Sequence, residues 1–198
     1  MAAKTLRHFV RYFFGLDAPQ TQTTEAERAA LSRHAAGARR LAEIGVYEGF
    51  TTALLVRTMA ADGVLYAIDP FFAGRLGICW SKWIASREVG RTRPPRRVIF
   101  IEKLSYEAVL LIEEQLDFIF IDGDHSLEGI RRDWTDWAPR ICPNGIMALH
   151  DTRVPVHNPE VAKLGSVGFF EEHICKDPRF MVVEQVDSLS VLRRTAGI

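Results

Sequence analysis

The chain has 198 residues, of which 47% are apolar and 25% are charged, and its 25 basic and 25 acidic residues cancel to a formal charge of zero. These values are typical of a globular protein long enough to bury one substantial core. A chain without net charge has no overall attraction to nucleic acid, so we expect no nucleic-acid partner.

Cysteine usage and apolar runs predict the compartment. Cys79, Cys142 and Cys175 form no C-x-x-C pair, which argues against a disulfide framework or a thiolate zinc site. No apolar run approaches the roughly 20 residues needed to span a bilayer, so no transmembrane segment is predicted. The first residues also lack the apolar stretch and cleavage site of a signal peptide. We therefore expect a cytoplasmic protein.

Two helices are predicted in the N-terminal segment. Residues 4–14 have the apolar spacing of an amphipathic helix whose other side is basic. Such a helix could lie on a membrane, but one this short more often packs against protein. Thr24 and Glu27 have the spacing of a capping box and open a second helix that runs to about Ala36. We expect one domain over residues 1–198, with residues 1–38 acting as a lid or as the contact of a homodimer.

From Arg39 onward, short apolar runs alternate with helical segments, which predicts an α/β fold. We expect a mostly parallel seven-stranded sheet with helices on both faces and a C-terminal antiparallel strand pair. The predicted strands lie near residues 41–46, 64–68, 98–101, 118–121, 146–149, 180–183 and 189–192. Ligands of such sheets bind outside the carboxyl ends of the strands. Each of the first five runs ends in an acidic residue: Glu43, Asp69, Glu102, Asp122 and Asp151.

Two further segments have simple interpretations. Residues 71–97 are long for a connection, and we interpret them as a helix with a solvated loop, although an insertion facing the substrate is the alternative. The segment after Ser126 has apolar residues at helical spacing, which predicts a stripe that faces the core. The stripe consists of Leu127, Ile130, Trp134, Trp137 and Ile141.

The stretch from Glu43 to Gly49 reads E-x-G-x-x-x-G between a predicted strand and a predicted helix. Gly45 and Gly49 would let the chain turn sharply and bring backbone N–H groups close to a ligand. Asp69 ends the next strand, where an acidic residue accepts hydrogen bonds from both ribose hydroxyls of a nucleoside. Its alternative role is to cap the turn at Pro70.

A second motif crowds Asp122, Asp124 and His125 into four positions directly after a buried strand. Such crowding costs repulsion and desolvation unless a cation, a proton or a substrate offsets it. His150 and Asp151 follow the next strand, so Asp122 and Asp151 could converge on a cation, with His150 suiting a softer ion than magnesium. A hydrogen-bonded structural pair is the alternative.

These motifs resemble those of class I S-adenosylmethionine-dependent methyltransferases over roughly residues 40–152. IDGDHS at 121–126 is similar to a motif of a bacterial branch of that group, which includes natural-product sugar methyltransferases. EIGVYEGFTT at 43–52 resembles the corresponding loop of catechol O-methyltransferase and its metal-dependent relatives. The resemblance implies a Rossmann-like methyltransferase fold with S-adenosylmethionine as cofactor.

The resemblance also implies roles for individual residues. Asp69 would hold the ribose, Ser105 would lie near the adenine, and Asp122 would also border the cofactor. The methionine part would be surrounded by Glu43, Gly45, Tyr47, Gly49 and Thr51.

Catalytic and metal-binding positions follow from the same resemblance. His125 stands where the catechol-type enzymes carry a basic lysine, and Asp124 stands where sugar methyltransferases use an aspartate. We expect these two residues to form the acid–base centre. Asp122 and Asp151 match metal-ligand positions, so magnesium or manganese is a further expectation, with His150 departing from the usual acidic pattern.

The expected function is O-methylation of a small hydroxylated metabolite or sugar, because a hydroxyl needs a base or a cation to become a nucleophile. An NAD-dependent oxidoreductase is one alternative, but it would favour G-x-G-x-x-G in the first turn. The other alternative is a non-catalytic protein that binds a nucleoside cofactor.

Overall fold

A computed structural model describes residues 2–74 and 77–196. The helices in these ranges are α1 (Ala2–Phe13), α2 (Glu25–Ala35), α3 (Phe50–Thr58), α4 (Trp80–Gly90), α5 (Ser105–Ala108), α6 (Leu127–Trp137) and α7 (Gly165–Glu172). The strands are β1 (Arg40–Ile44), β2 (Val64–Ile68), β3 (Arg97–Ile101), β4 (Leu116–Ile121), β5 (Ile141–Leu149), β6 (Phe180–Val186) and β7 (Leu189–Arg194). Across the described ranges, the helices are all too short or too polar to cross a bilayer.

The strands form one sheet in the order β3-β2-β1-β4-β5-β7-β6. Strands β1 to β5 run parallel, and β7 lies antiparallel between β5 and β6. The predicted α/β fold, with its mostly parallel seven-stranded sheet and C-terminal antiparallel pair, is therefore confirmed. The strand order reverses between β1 and β4, and ligands of open α/β sheets bind in the crevice at such a point.

Helices cover both faces of the sheet, which explains why its central strands are continuous apolar runs. Successive side chains of a strand point to opposite faces. In β4, Phe118 and Phe120 pack with Leu55 of α3, whereas Ile119 and Ile121 pack with Trp137 of α6. Each face therefore has its own buried core.

The strand register brings the candidate residues to one height. Ile44 at the end of β1 pairs with both Ile68 of β2 and Ile121 of β4. Ile121 in turn pairs with Leu149 at the end of β5. Asp69, Asp122 and His150, each one residue further on, therefore emerge side by side at the carboxyl edge of the sheet.

The predicted stripe on α6 is correct in its centre and wrong at its ends. Ile130, Trp134 and Trp137 are buried, but Leu127 is exposed at the start of the helix. Ile141 is buried in β5, because the helix ends at Trp137. Pro139 lies in the 3-10 turn that follows, where it lacks the N–H that a continuing helix would need.

Candidate active site

A cavity of about 650 Å³ opens at the carboxyl ends of β1, β2 and β4. Among the predicted site residues, its wall includes Gly45, Tyr47, Thr51, Asp69, Ser105, Asp122, Asp124 and His125. Parts of residues 20–22 and 70–81 complete the wall. Segment 71–97, which we interpreted as a helix and solvated loop, thus contributes Phe71, Phe72 and Ser81 to the cavity, as its alternative interpretation expected.

The turn after β1 requires its two glycines. Gly45 has a φ of +90°, and a Cβ there would lie 2.0 Å from the carbonyl oxygen of Asp122. Gly49 has a φ of +76°, and a Cβ there would lie 2.7 Å from the Cα of Ala85. The close approach that these glycines permit is to the protein's own backbone. It packs the turn tightly between β4 and α4, and so fixes one wall of the cavity.

Asp69 organises the same turn. Its Oδ2 accepts hydrogen bonds from the N–H groups of Val46 and Tyr47, both at 3.0 Å, and its Oδ1 accepts one from Phe71 N at 2.7 Å. A carboxylate has roughly four acceptor positions, so three are already used. Asp69 therefore holds the turn in place and also lines the cavity where the sequence predicted a ribose contact.

Glu43 lies inside β1, behind the cavity wall, and is completely buried. It accepts a hydrogen bond from the Thr52 hydroxyl, while its other carboxyl oxygen has no partner among the described residues. Burial raises the pKa of Glu43 well above its usual value, so the group is protonated at neutral pH. Neither Glu43 nor Gly49 is among the residues that line the cavity.

Asp122 lies between two histidines. Its Oδ1 is 3.0 Å from His150 Nδ1 and 3.4 Å from His125 Nε2. Burial raises the pKa of Asp122, but contacts with His125 and then His150 outweigh it, so the pKa falls below its usual value. Asp151 completes the group, with Oδ2 at 3.7 Å from His125 Nε2 and Oδ1 at 3.6 Å from His150 Nδ1.

Asp124 has a local structural contact. Its Oδ1 accepts a hydrogen bond from Ser126 N at 2.9 Å, and the Ser126 side chain in turn accepts one from Gly129 N and caps α6. Asp124 is exposed, whereas His125 is partly buried in the cavity wall beside two carboxylates. Of the two predicted acid–base residues, His125 therefore has the surroundings of a general base.

The sequence interpretation missed the partner of His150, which is Glu27 of α2. Glu27 is 1% exposed, and its Oε2 lies 3.3 Å from His150 Nε2. Its Oε1 accepts hydrogen bonds from the N–H and hydroxyl of Ser188, in the β6–β7 turn. The predicted capping box of Thr24 and Glu27 is present as well. A contact between residues 123 positions apart leaves no local pattern that could have revealed it.

This pairing changes the protonation of both groups. Burial lowers the pKa of His150, but hydrogen bonds with Asp122 and Glu27 raise it to about 10. Burial raises the pKa of Glu27, but hydrogen bonds from His150 and from Thr24 N lower it to about 2. At neutral pH, His150 is therefore an imidazolium enclosed by carboxylates.

The expected cation site can be tested against this geometry. Asp122, His125 and His150 place one donor atom each within 4.8 Å of one another. Two imidazoles and one carboxylate do not suit magnesium, which takes oxygen ligands. Both ring nitrogens of His150 face carboxylates, so a metal at Nδ1 would have to replace a proton held there. These residues fit an internal imidazolium better than a divalent cation.

The segment between α1 and α2 forms another wall of the cavity through Gln20, Thr21 and Gln22. The Tyr47 hydroxyl donates to Gln20 Oε1 at 2.6 Å, and Gln20 N donates to the buried carboxylate of Glu48 at 2.6 Å. His8 of α1 lies 3.0 Å from the same carboxylate. These contacts attach the N-terminal segment to the turn after β1.

The fold and the sequence agree with known methyltransferases. The O-methyltransferase from Bacillus cereus, in complex with SAH, is 21% identical with a TM-score of 0.67, and the alignment covers 96% of this chain and 91% of that one. TomG from Streptomyces achromogenes, involved in tomaymycin synthesis and in complex with SAM, is 16% identical with a TM-score of 0.66, covering 98% and 90%. An rRNA methylase from Streptococcus thermophilus is 12% identical with a TM-score of 0.58, covering 85% and 94%.

One curated relative is also similar, the uncharacterized protein y4gI of Sinorhizobium fredii, with 26% identity over 129 residues. The match covers 63% of this chain but spans about 14% of the length of that relative. Residues 42–152 match a sequence family described as a methyltransferase domain, and this range includes the turn after β1, Asp69, the Asp122–His125 turn and His150. The chain therefore belongs to this family of methyltransferase domains.

Proposed function

We propose that this chain transfers a methyl group from S-adenosylmethionine to a hydroxyl of a small acceptor, with His125 as the general base. The observation that carries the proposal is the position of His125 in the cavity wall, with its Nε2 within 3.7 Å of two carboxylates, those of Asp122 and Asp151. The family match and two structural neighbours that bind SAH or SAM support the choice of cofactor.

The cavity is consistent with such a cofactor. Its volume lies within the usual range of about 300–1,000 Å³ for small-molecule sites. Polar groups are spread along its wall, from the turn after β1 through Asp69 to Ser105 and Asp133 at the α5–α6 end. An elongated ligand with a charged amino-acid end, a ribose and a base would meet a polar partner at each of these places.

The proposed chemistry uses the carboxylates around His125. The bound cofactor supplies a methyl group on a sulfonium, which leaves as a neutral thioether when an oxygen attacks in line. Because Nε2 of His125 lies beside Asp122 and Asp151, the neutral ring keeps its proton there, and Nδ1 is free to take the hydroxyl proton. The acceptor's O–H bond breaks as its O–CH3 bond forms, and the two carboxylates stabilise the resulting imidazolium until it releases the proton to water.

The cavity wall bears on the class of acceptor. Gln20, Thr21 and Gln22 bring neutral hydrogen-bonding groups, and Phe71 and Phe72 bring apolar surface. Such a wall fits a neutral hydroxylated molecule with an apolar side. The rRNA methylase among the structural neighbours shows that the fold alone does not fix the acceptor, so this proposal depends on the site.

The test begins with calorimetric titration of SAH and, as a control for the oxidoreductase alternative, of NAD. We expect SAH to bind and NAD not to bind. Turnover of S-adenosylmethionine against a panel of sugars, cyclitols and phenols then identifies an acceptor. An affinity for NAD without one for SAH would overturn the proposal.

Substitutions then test the base. We expect His125→Gln to lower turnover by about 10²–10⁴-fold while SAH affinity is retained. His173→Gln is the matched control, because His173 is exposed and is not among the residues that line the cavity. Asp124→Asn should retain most activity, since asparagine can still accept the hydrogen bond from Ser126 N. Full activity of His125→Gln would remove His125 as the base.

A further inference from the structure

We infer that Asp133 recognises the 6-amino group of the cofactor's adenine and is a specificity-determining residue of the binding site. This inference rests on the proposed function, since it concerns the same cofactor. Asp133 lies in α6, outside the motifs that the sequence singled out, and it is 5% exposed. It lines the α5–α6 end of the cavity together with Ser105, Gly123 and Arg132.

Ser105 fixes the orientation of the Asp133 carboxylate. The Ser105 hydroxyl donates to Asp133 Oδ1 at 2.5 Å and accepts a hydrogen bond from Trp137 Nε1 at 2.8 Å. A serine hydroxyl has one proton to donate, and here that proton is used within the protein. Ser105 was predicted to lie near the adenine, but its contacts make it the residue that orients Asp133.

The other carboxyl oxygen of Asp133 faces the cavity wall. Oδ2 lies 3.9 Å from the position that a Cβ on Gly123 would occupy, and Gly123 lines the cavity at the turn after β4. Within residues 2–74 and 77–196, no group donates a hydrogen bond to this oxygen. The site therefore presents one oriented acceptor, close to a backbone that lacks a side chain.

A buried acceptor without a partner favours a ligand that brings an N–H donor. Adenine offers two such hydrogens at its 6-amino group. Hypoxanthine carries a carbonyl oxygen at the same position, so an acceptor would face an acceptor. Burial, with smaller contributions from Asp136 and Asp124, raises the pKa of Asp133 to about 6, which shows that the free carboxylate is poorly stabilised by its surroundings. A donor from the ligand would supply what the protein does not.

The experiment compares SAH with S-inosylhomocysteine, its 6-oxo analogue, by calorimetric titration. We expect the wild type to prefer SAH by about 10–100-fold, as for a hydrogen bond to a charged group. In Asp133→Asn the preference should largely disappear, because an amide can turn either its carbonyl or its NH2 toward the base. Asp136→Asn is the matched control. Asp136 lies on the same helix beside Arg132 and is not among the cavity-lining residues, so this variant should keep the wild-type preference.

The outcomes separate the two proposals. If the wild type binds neither compound, the proposed function fails and this inference fails with it. If the wild type binds SAH and the 6-oxo analogue equally, the proposed function stands and the role of Asp133 is refuted. An unchanged preference in a folded Asp133→Asn variant would refute it too. Since the wild-type comparison needs no substitution, the inference stays testable even if Asp133→Asn does not fold.

Discussion

Asp133 carries a carboxylate where the surrounding protein disfavours a charge. Its folded-state pKa of about 6 is above the value near 4 expected for an unfolded chain. An acid with a raised folded-state pKa binds more protons when folded than when unfolded. The stability that it contributes is therefore full below pH 4 and is lost as the pH rises through 6.

This sign gives a pH-dependent prediction for Asp133→Asn. Asparagine does not titrate, so the variant should gain stability relative to the wild type between pH 4 and pH 7, by about 2–3 kcal/mol. Urea unfolding at several pH values measures the difference, with Asp136→Asn as control. Shifts of other acids, such as that of Glu43, occur in both proteins and cancel. Parallel stability curves for wild type and variant would contradict the raised pKa.

His150 occupies the place where the sequence suggested a divalent cation. Its two ring nitrogens contact Asp122 and Glu27, so a positive charge already lies beside Asp122. We therefore expect exhaustive chelation, checked by elemental analysis, to leave both SAH affinity and turnover unchanged. If turnover fell after chelation and returned with magnesium or manganese, Asp122 and Asp151 would be metal ligands as the sequence predicted, and His150 would have to be deprotonated to join them.

At the scale of elements, one buried carboxylate connects three parts of the molecule. Glu27 of α2 contacts His150 at the end of β5 and Ser188 in the β6–β7 turn. Thr24, at the start of α2, also donates to Asp187 in that turn at 2.6 Å. The helix that precedes the matched family domain is thereby tied to the carboxyl edge of the sheet, next to Asp122.

Removing Glu27 should therefore cost much more than removing a surface acid. Glu27→Ala would leave the His150 imidazolium and Ser188 without their buried partner, and breaking such a pair costs about 3–5 kcal/mol. Glu25→Ala is the control, since Glu25 lies on the exposed side of the same helix turn. Urea unfolding near pH 6 measures both. Equal stability of the two variants would show that Glu27 is not a structural link.

The elements themselves could be predicted because their signals are local. The runs ending at Ile68 and Ile121, and the capping box of Thr24, lie within a few neighbouring residues. The position of the crevice followed from strand ends alone. The site's interior did not, because Ser105 and Asp133, or Glu27 and His150, meet only through the tertiary fold. A strand-end acid such as Glu102 also looked equivalent to Asp122 in sequence, yet it is exposed and pairs with Lys82.

For the molecule as a whole, the outward side of α1 remains apolar. Phe9 packs against Trp80 of α4, with ring centroids 4.6 Å apart, and Tyr12 is buried. The remaining apolar side chains of this segment are exposed, with Phe14 at 72%: Leu6, Val10, Phe13, Phe14 and Leu16. A contiguous apolar surface of this kind marks an interaction site, which agrees with the homodimer expected from the sequence.

We therefore predict a dimer through α1, with twice the chain mass of 22.4 kDa by light scattering. The double variant Val10→Glu with Phe14→Glu should be monomeric, because it would place four carboxylates, two from each protomer, in a desolvated interface. Leu110→Glu, an exposed leucine that precedes β4, is the control and should stay dimeric. SAH affinity should be the same in all three, since none of the substituted side chains lines the cavity. A wild type that scatters as a single chain at high micromolar concentration would refute the dimer, and the apolar side of α1 would then need a different partner.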